Sequence, residues 1–471
     1  MSETKRLLRN TGIIAIGGMA TKFVSFLLLP LYTSVLSTGD YGTVDYINTI
    51  AAFLVPAISL LMDEALFRFL IDCEDDASRA RVVTAASAVM VAGCTVFVAV
   101  VAVAWAVWTP DGIWWIVAIT VAQCLVTMAS ALLRGFGETV AYSLMNFIAS
   151  AATIVFNVLF IAVLRWGVVG MLLGTVIAQG GTAIVVMIRK RIWKYVEPQT
   201  FSGVVAKELV RYSIPLIPNT ISWNIMNLLD RLIIMNSIGA DAAGVYAVSY
   251  KFPNIMDMVY GFFYKSWKES SARVLGGDED EVSFYNSVYK ALRRFMMAVV
   301  LMMSALVPLV YGVLIRGSFG EGMLYVPLLL LATYYSNISG FYGGIFTAHK
   351  DTKIMGTTTV ASAALCVVLC FALIPLLGLY GASLATVTAT FMVNEYRRIK
   401  VRKYVKLEED VWEQVLTIVA IVAVFALYYT YSYMGSVAAL AACLAAACVY
   451  SVGMNLGLLK KTAALLRAKR G

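Results

Sequence analysis

The chain has 471 residues, 61% hydrophobic and 14% charged, with a formal net charge of +9 and a mean hydropathy of +0.81. Soluble domains average roughly 45–50% apolar and about 25% charged residues, so this composition excludes a soluble fold. Apolar runs of about 20 residues, enough to cross a hydrocarbon core of about 30 Å, recur throughout, and the alternating strands of a membrane β-barrel are missing from the sequence.

The pattern predicts an all-α polytopic membrane protein with about 14 transmembrane helices. In chain order the spans are expected at 11–36, 41–68, 82–108, 113–134, 139–164, 167–189, 213–238, 241–265, 291–315, 323–348, 354–377, 379–399, 412–432 and 435–459. The apolar stretch of the first, roughly 25 residues, exceeds the 7–15 of a cleavable signal, so it is expected to stay in the membrane. An even number of spans puts both termini on one side. Of the 37 Lys and Arg residues, only Arg165 and Arg316 fall in loops opposite the N-terminus, while Lys22, Arg231 and Lys251 lie inside spans. The remainder crowd the N-terminal side, which marks it as cytoplasmic. A multi-pass protein of the cell membrane follows, and its positive charge needs no nucleic-acid partner.

Within this order the stretch "FIAVLRWGVVGMLLGTVIA" (160–178) matches "FALIPLLGLYGASLATVTA" (371–389) at an offset of 211 residues. Gly167/Gly378, Gly170/Gly381, Leu173/Leu384 and Thr175/Thr386 coincide, with the G-x-x-G turn at the same hinge between spans. The offset also lays the loop 134–142 onto 345–353. Six spans separate the copies, so the repeat is parallel, about an axis normal to the membrane. This predicts an N-terminal six-helix lobe (1–189), a cytoplasmic linker (190–212) and a C-terminal six-helix lobe (213–400) around a central cavity. Two additional helices and a basic tail follow (401–471). The linker's "VEPQTFSGVVAKEL" is expected on the membrane surface.

Outer loops of about ten residues at most leave no external domain for chemistry. The single histidine, His349, reads as a solvated loop residue, and the seven cysteines as free thiols in apolar spans. Metal-ligand clusters and phosphate-binding glycine loops are missing from the sequence. No catalytic residue, metal or cofactor is therefore expected, and transport is favoured over catalysis.

A charge at the bilayer centre costs at least about 2.5–3.5 kcal/mol, so it serves a cavity or a partner. Lys22 lies roughly 17 Å into span 1 and Lys251 roughly 15 Å into span 8, at 1.5 Å per residue. Each is either a clamp for an anionic headgroup or half of a structural ion pair, Lys251 with Asp230 or Asp257. Asp230 and Arg231 are helix neighbours pointing about 100° apart. One of them lines the cavity, or the two form a local brace. Asn219, Trp223 and Asn227 follow one helical face at i, i+4 and i+8, a stripe that suits either a sugar or interhelical hydrogen bonding. Asp45, Asp230 and Asp257 are the candidates for a coupling ion, H+ or Na+. Asp63, Glu64 and Arg68 read as interfacial charges.

The run "NTGIIAIGGMATKFVSFLLLPLYTSVLSTGDYGTVDY", then "ALFRFLID" with Arg68, resembles the polysaccharide transporter (oligosaccharide flippase) family. That family belongs to the multidrug/oligosaccharidyl-lipid/polysaccharide exporter superfamily. The matching positions are Asn10-Thr11, Gly17, Lys22, Pro30, Tyr32-Thr33 and Asp40-Tyr41-Gly42. The stretch "NLLDRLIIMNSIGADAAGVYAVSYK" is similar to the family's seventh and eighth spans, which includes Asp230 and Arg231 in its pattern. The resemblance implies flipping of an undecaprenyl-diphosphate-linked oligosaccharide, with in-span cations for the diphosphate and membrane lipids around the tail. Other polysaccharide assembly proteins are implied as partners. Fourteen spans are similar to the lipid II flippase branch, but that branch usually carries several arginines in its first lobe, and here only Lys22 lies deep there. A multidrug exporter of the same superfamily and a membrane-embedded polysaccharide polymerase or ligase are the competing functions.

Overall fold

A computed structural model describes residue 26 and residues 28–107, 112–274, 280–349 and 351–468. These residues form seventeen α-helices and no strand. The helices are α1 Leu29–Val35, α2 Thr38–Ile58, α3 Met62–Ile71, α4 Asp76–Val107, α5 Ile113–Gly135, α6 Thr139–Asn157, α7 Gly167–Arg189, α8 Gly203–Ser213, α9 Ile217–Ser237 and α10 Ala240–Ser249. They continue with α11 Lys251–Val274, α12 Glu281–Leu314, α13 Val326–Ala348, α14 Thr352–Leu377, α15 Leu379–Val401, α16 Val411–Met434 and α17 Val437–Ala468. Among the described residues eight helices are long and apolar enough to cross a membrane, or nine if α2 and α3 form one bent span. Helices α9, α11, α13 and α15 coincide with expected spans but are diluted by Asn, Tyr, Ser and charged residues.

The chain divides into two compact units, 1–244 and 245–471. In the first, α3, α4 and α5 bury Met62, Leu66, Val83, Cys124 and Leu132 in one core. Val44, Ile47 and Ala51 of α2 meet Ile119 and Leu172 in a second. In the second unit α13 is central: Phe341, Tyr342, Ile345 and Phe346 are fully buried, and α11, α12 and α15 pack around it. The Trp267 ring stacks on Phe341 at 4.3 Å while its Nε1–H donates to the Phe341 carbonyl at 2.9 Å. Outer faces are apolar: Val96, Val100 and Val103 of α4 are 62%, 61% and 68% exposed. That arrangement is stable only where the surrounding solvent is hydrocarbon.

Span 2, expected as one helix over 41–68, is broken. Leu60 and Leu61 both have φ +50, α2 and α3 meet at 50°, and Ser59 Oγ accepts the Leu61 N–H at 3.2 Å. Two non-glycine residues in the left-handed region cost of order 1 kcal/mol or more each. The buried packing of Leu61 and Met62 holds them there. The 34 residues of α12 span about 51 Å, well beyond the bilayer core, so the loop expected at 266–290 is largely helical. The linker is also more than a tether. Ile192 and Leu209 sit in the first unit's core, and Thr84 Oγ1 accepts the Glu197 N–H and donates to the Tyr195 carbonyl, both at 3.0 Å.

The repeated turns have one geometry. Gly167 and Gly378 both take φ +57, which a Cβ would disfavour. Three residues on, a Cβ at Gly170 would crowd Phe160, and one at Gly381 would press on the Leu373 backbone. The preceding helices begin at Thr139 and Thr352, so that part of the alignment is displaced from the 211-residue offset by two residues.

Candidate functional site

The answer to why an Asp–Arg pair sits inside span 7 lies on α2. Asp45 and Thr49, four residues apart, share one face of that helix, opposite Val44, Ile47 and Ala51 in the core. Helix α9 packs along α2 and delivers Arg231 to both: Nη1 donates to Asp45 Oδ2 at 2.6 Å and to Thr49 Oγ1 at 2.7 Å. The two charged side chains are only 18% and 17% exposed. Asp230 is buried, 2% exposed, and its carboxylate accepts the Arg231 backbone N–H at 2.8 Å. Asp230 thus meets its neighbour's backbone N–H, while the Arg231 guanidinium reaches across to Asp45.

Lys22 lies outside the described residues. Asn219, Trp223 and Asn227 lie on α9, but their side chains also fall outside the described set. Lys251 is half-buried as the first residue of α11, at a break where Pro253 has no N–H to give the Ser249 carbonyl. Asp257 is exposed two turns further on. Asp63 is half-buried and Glu64 exposed at the N-terminal end of α3. Arg68 pairs at 2.7 Å with Asp72.

The residues that carry the family resemblance turn out to build the scaffold around this site. Ser37 and Asp40 form a capping box at the start of α2. Thr38 donates to Asp241, and Gly42 and Gly244 lack the Cβ that would collide with the facing backbone. Tyr32 accepts a 2.6 Å hydrogen bond from Asn157 Nδ2 deep in the first unit.

In the second unit, cations that the sequence assigned to the cytoplasmic surface are engaged with partners. Arg397 is 3% exposed. It donates to Thr358 Oγ1 (2.8 Å), Thr359 Oγ1 (3.0 Å) and the Met355 and Ser339 carbonyls (3.2 and 3.3 Å). No carboxylate among the described residues pairs with it. Arg293 and Arg294 of α12 each reach a separate oxygen of Glu413 on α16 at 2.6 Å. Arg398 binds Glu395 and Glu409 at 2.5 Å. Beside this network Tyr335, Asn394, Arg398 and Gln414 line a cavity of about 260 Å³. His349 is half-buried rather than solvated: it closes α13, with Nε2 3.4 Å from Glu281 and its ring 4.4 Å from that of Tyr404. Tyr404 donates to Asp351 at 2.6 Å, and that carboxylate holds the phenol above its usual range. The seven cysteines are free.

Among the described residues no group of three or more His, Cys, Asp or Glu could hold a metal ion. Among the described residues of the first unit, Asp45 and Arg231 thus form an ion pair inside the expected spans.

A search of curated proteins returned no match. Solved structures share the fold. The lipid II flippase MurJ in an inward closed conformation superimposes with a TM-score of 0.68 at 10% identity, covering 95% of this chain and 99% of that one. An outward-facing multidrug resistance MATE transporter of the MOP superfamily gives 0.56 at 14%, covering 86% and 99%. A MOP superfamily transporter from Pyrococcus furiosus gives 0.56 at 14%, covering 83% and 95%. The fold is that of the MOP superfamily, in a multi-pass membrane protein. The family model described as polysaccharide biosynthesis protein matches residues 7–267, more than half of the chain, and the chain belongs to that family.

Proposed function

We propose that the protein is a flippase that moves a lipid-linked (undecaprenyl-diphosphate) oligosaccharide across the cytoplasmic membrane by alternating access, for cell-surface polysaccharide biosynthesis. The observation that carries this reading is the polysaccharide-biosynthesis family match across residues 7–267, a region that includes four of the helices long and apolar enough to cross a membrane and the Asp45–Arg231 pair. The Lys/Arg bias supports cytoplasmic termini, and the 211-residue repeat supports lobes at 1–189 and 213–400, joined by 190–212 and followed by 401–471.

In this reading Lys22, Arg231 and Lys251 meet the diphosphate, and Asn219, Trp223 and Asn227 meet the sugar. Asp45, Asp230 and Asp257 carry the response to an H+ or Na+ gradient. The Asp45–Arg231 pair supplies a physical means. Protonating Asp45 removes the charge that holds Arg231, and the guanidinium then has a diphosphate as its better partner, because charge-assisted bonds to phosphate oxygens are strong and bidentate.

The test is to deplete the protein in its own cells. Lipid-linked oligosaccharide is expected to accumulate, protected from a membrane-impermeant glycosidase, while surface polysaccharide falls. If depletion leaves both unchanged and instead sensitises cells to cationic drugs, the multidrug-export reading replaces this one. If peptidoglycan precursor accumulates, the cargo is lipid II.

A further inference from the structure

Helices α6 and α7 enclose an apolar groove of about 470 Å³, whose walls include Ile148, Phe156, Ile177 and Gly181 and whose end carries Arg189 and Lys190. It plays no part in the reading above and belongs to the first unit alone. Ile148 and Ile177 are 44% and 36% exposed, so the groove opens to the surrounding lipid rather than into the core. From Ile177 to Arg189 is twelve residues, about 18 Å, close to the roughly 15 Å depth of one leaflet. An apolar slot of that length accepts one acyl chain; an undecaprenyl tail is far longer than a leaflet is deep.

The groove's mouth has a definite charge. Arg189 is exposed, and Lys190 forms an ion pair with Glu138. Arg191 and Lys194 follow on the same short stretch, where Trp193 is 53% exposed, the residue type that concentrates at the headgroup level. Four cations thus lie within six residues, and Glu138 pairs with one of them. Clusters of this kind attract anionic lipid headgroups.

We propose that this groove binds an anionic membrane phospholipid, with one acyl chain lying between α6 and α7 and the phosphate held by Arg189 and Lys190. Glu138 keeps Lys190 at the mouth when the phosphate is absent and gives it up when the lipid arrives. The site is a property of the first unit and stands whether or not the cargo is an oligosaccharide.

The test uses purified full-length protein in detergent, titrated with phosphatidylglycerol, with phosphatidylcholine of the same chains, or with undecaprenyl phosphate, and read by intact-complex mass spectrometry. Phosphatidylglycerol is expected to be retained at about tenfold lower concentration than phosphatidylcholine. The double variant Arg189→Gln/Lys190→Gln should abolish that preference, lowering phosphatidylglycerol retention to the level of phosphatidylcholine. Gly181→Phe should lower retention of both lipids, because a Cβ at Gly181 meets nothing within 4 Å and the ring can fill the groove without disturbing the helices. Each variant is checked by its melting temperature. If the double variant does not fold, Arg189→Gln alone, at an exposed position, should reduce the preference at least threefold. Equal retention of the two phospholipids, an unchanged preference in the charge variants, or full binding by Gly181→Phe overturns the proposal. Tighter retention of undecaprenyl phosphate that displaces phosphatidylglycerol overturns it too, by making the cargo's tail the occupant.

Discussion

Removing one partner of the Asp45–Arg231 pair should cost about as much as removing both. With charge centres about 4 Å apart and an effective dielectric constant of about 20, their attraction is about 4 kcal/mol. Most of it is offset by the water both groups lose, since the side chains are only 18% and 17% exposed. The pair's net contribution is therefore small, whereas a single truncation strands a charge inside the helices. Buried pairs broken in this way lose about 3–5 kcal/mol, and the residual exposure here places the loss near 2–3 kcal/mol. Arg231→Ala and Asp45→Ala should each show it in equilibrium unfolding of the purified protein in mixed micelles. The double variant should lose no more than about 3 kcal/mol, a coupling of about 2 kcal/mol. Losses that simply add in the double variant, or single variants within about 0.5 kcal/mol of the parent, would refute the electrostatic account of span 7.

Glu413 is 8% exposed and shared by two arginines, so Glu413→Ala should destabilise by about 3 kcal/mol and expose α16 to protease before the rest of the chain. Intact α16 in that variant would mean the apolar contacts alone hold it. Arg397→Met should cost less than about 1 kcal/mol in the same unfolding assay. Its guanidinium has no carboxylate among the described residues to offset desolvation, and Thr358 and Thr359 keep their bonds to the Ile354 and Met355 carbonyls; a loss above about 3 kcal/mol contradicts this. Lys22→Ala should stop surface polysaccharide while protein level stays near normal, and Lys22→Arg should keep part of the function, since both side chains carry the charge but differ in shape and hydration. Wild-type export by Lys22→Ala removes Lys22 from the site. A cysteine at Asp280, in the connection between α11 and α12, should react with a thiol reagent only from the cytoplasmic face; labelling from outside would invert the topology.

The helices were legible because hydrocarbon demands long apolar runs and loops interrupt them with charge and glycine. Most expected ends fall within a few residues of the observed ones, and the G-x-x-G turns at Gly167 and Gly378 were visible as a repeat. The break at Leu60-Leu61 was not, because neither residue carries the glycine signal that usually marks a left-handed backbone. Arg397, Arg293 and Arg294 looked like surface charges, since a cation near a helix end is ordinarily solvated. Only the placement of Thr358 and Glu413 shows otherwise. The Asp45–Arg231 pair joins positions 186 residues apart, and local spacing cannot report such a contact. Asp230 and Arg231 could still be picked out as charges needing an answer, because their cost in the membrane is a property of the residue type.

The central claim is tested most directly with the purified protein in liposomes carrying a fluorescent undecaprenyl-diphosphate oligosaccharide, digested from outside by a membrane-impermeant glycosidase. Flipping predicts that the protected inner half of the lipid becomes digestible with the protein present, with Arg231→Ala slowed at least tenfold. Digestion that stops at half with active, correctly folded protein, equal to protein-free liposomes under every imposed ion gradient, would contradict it.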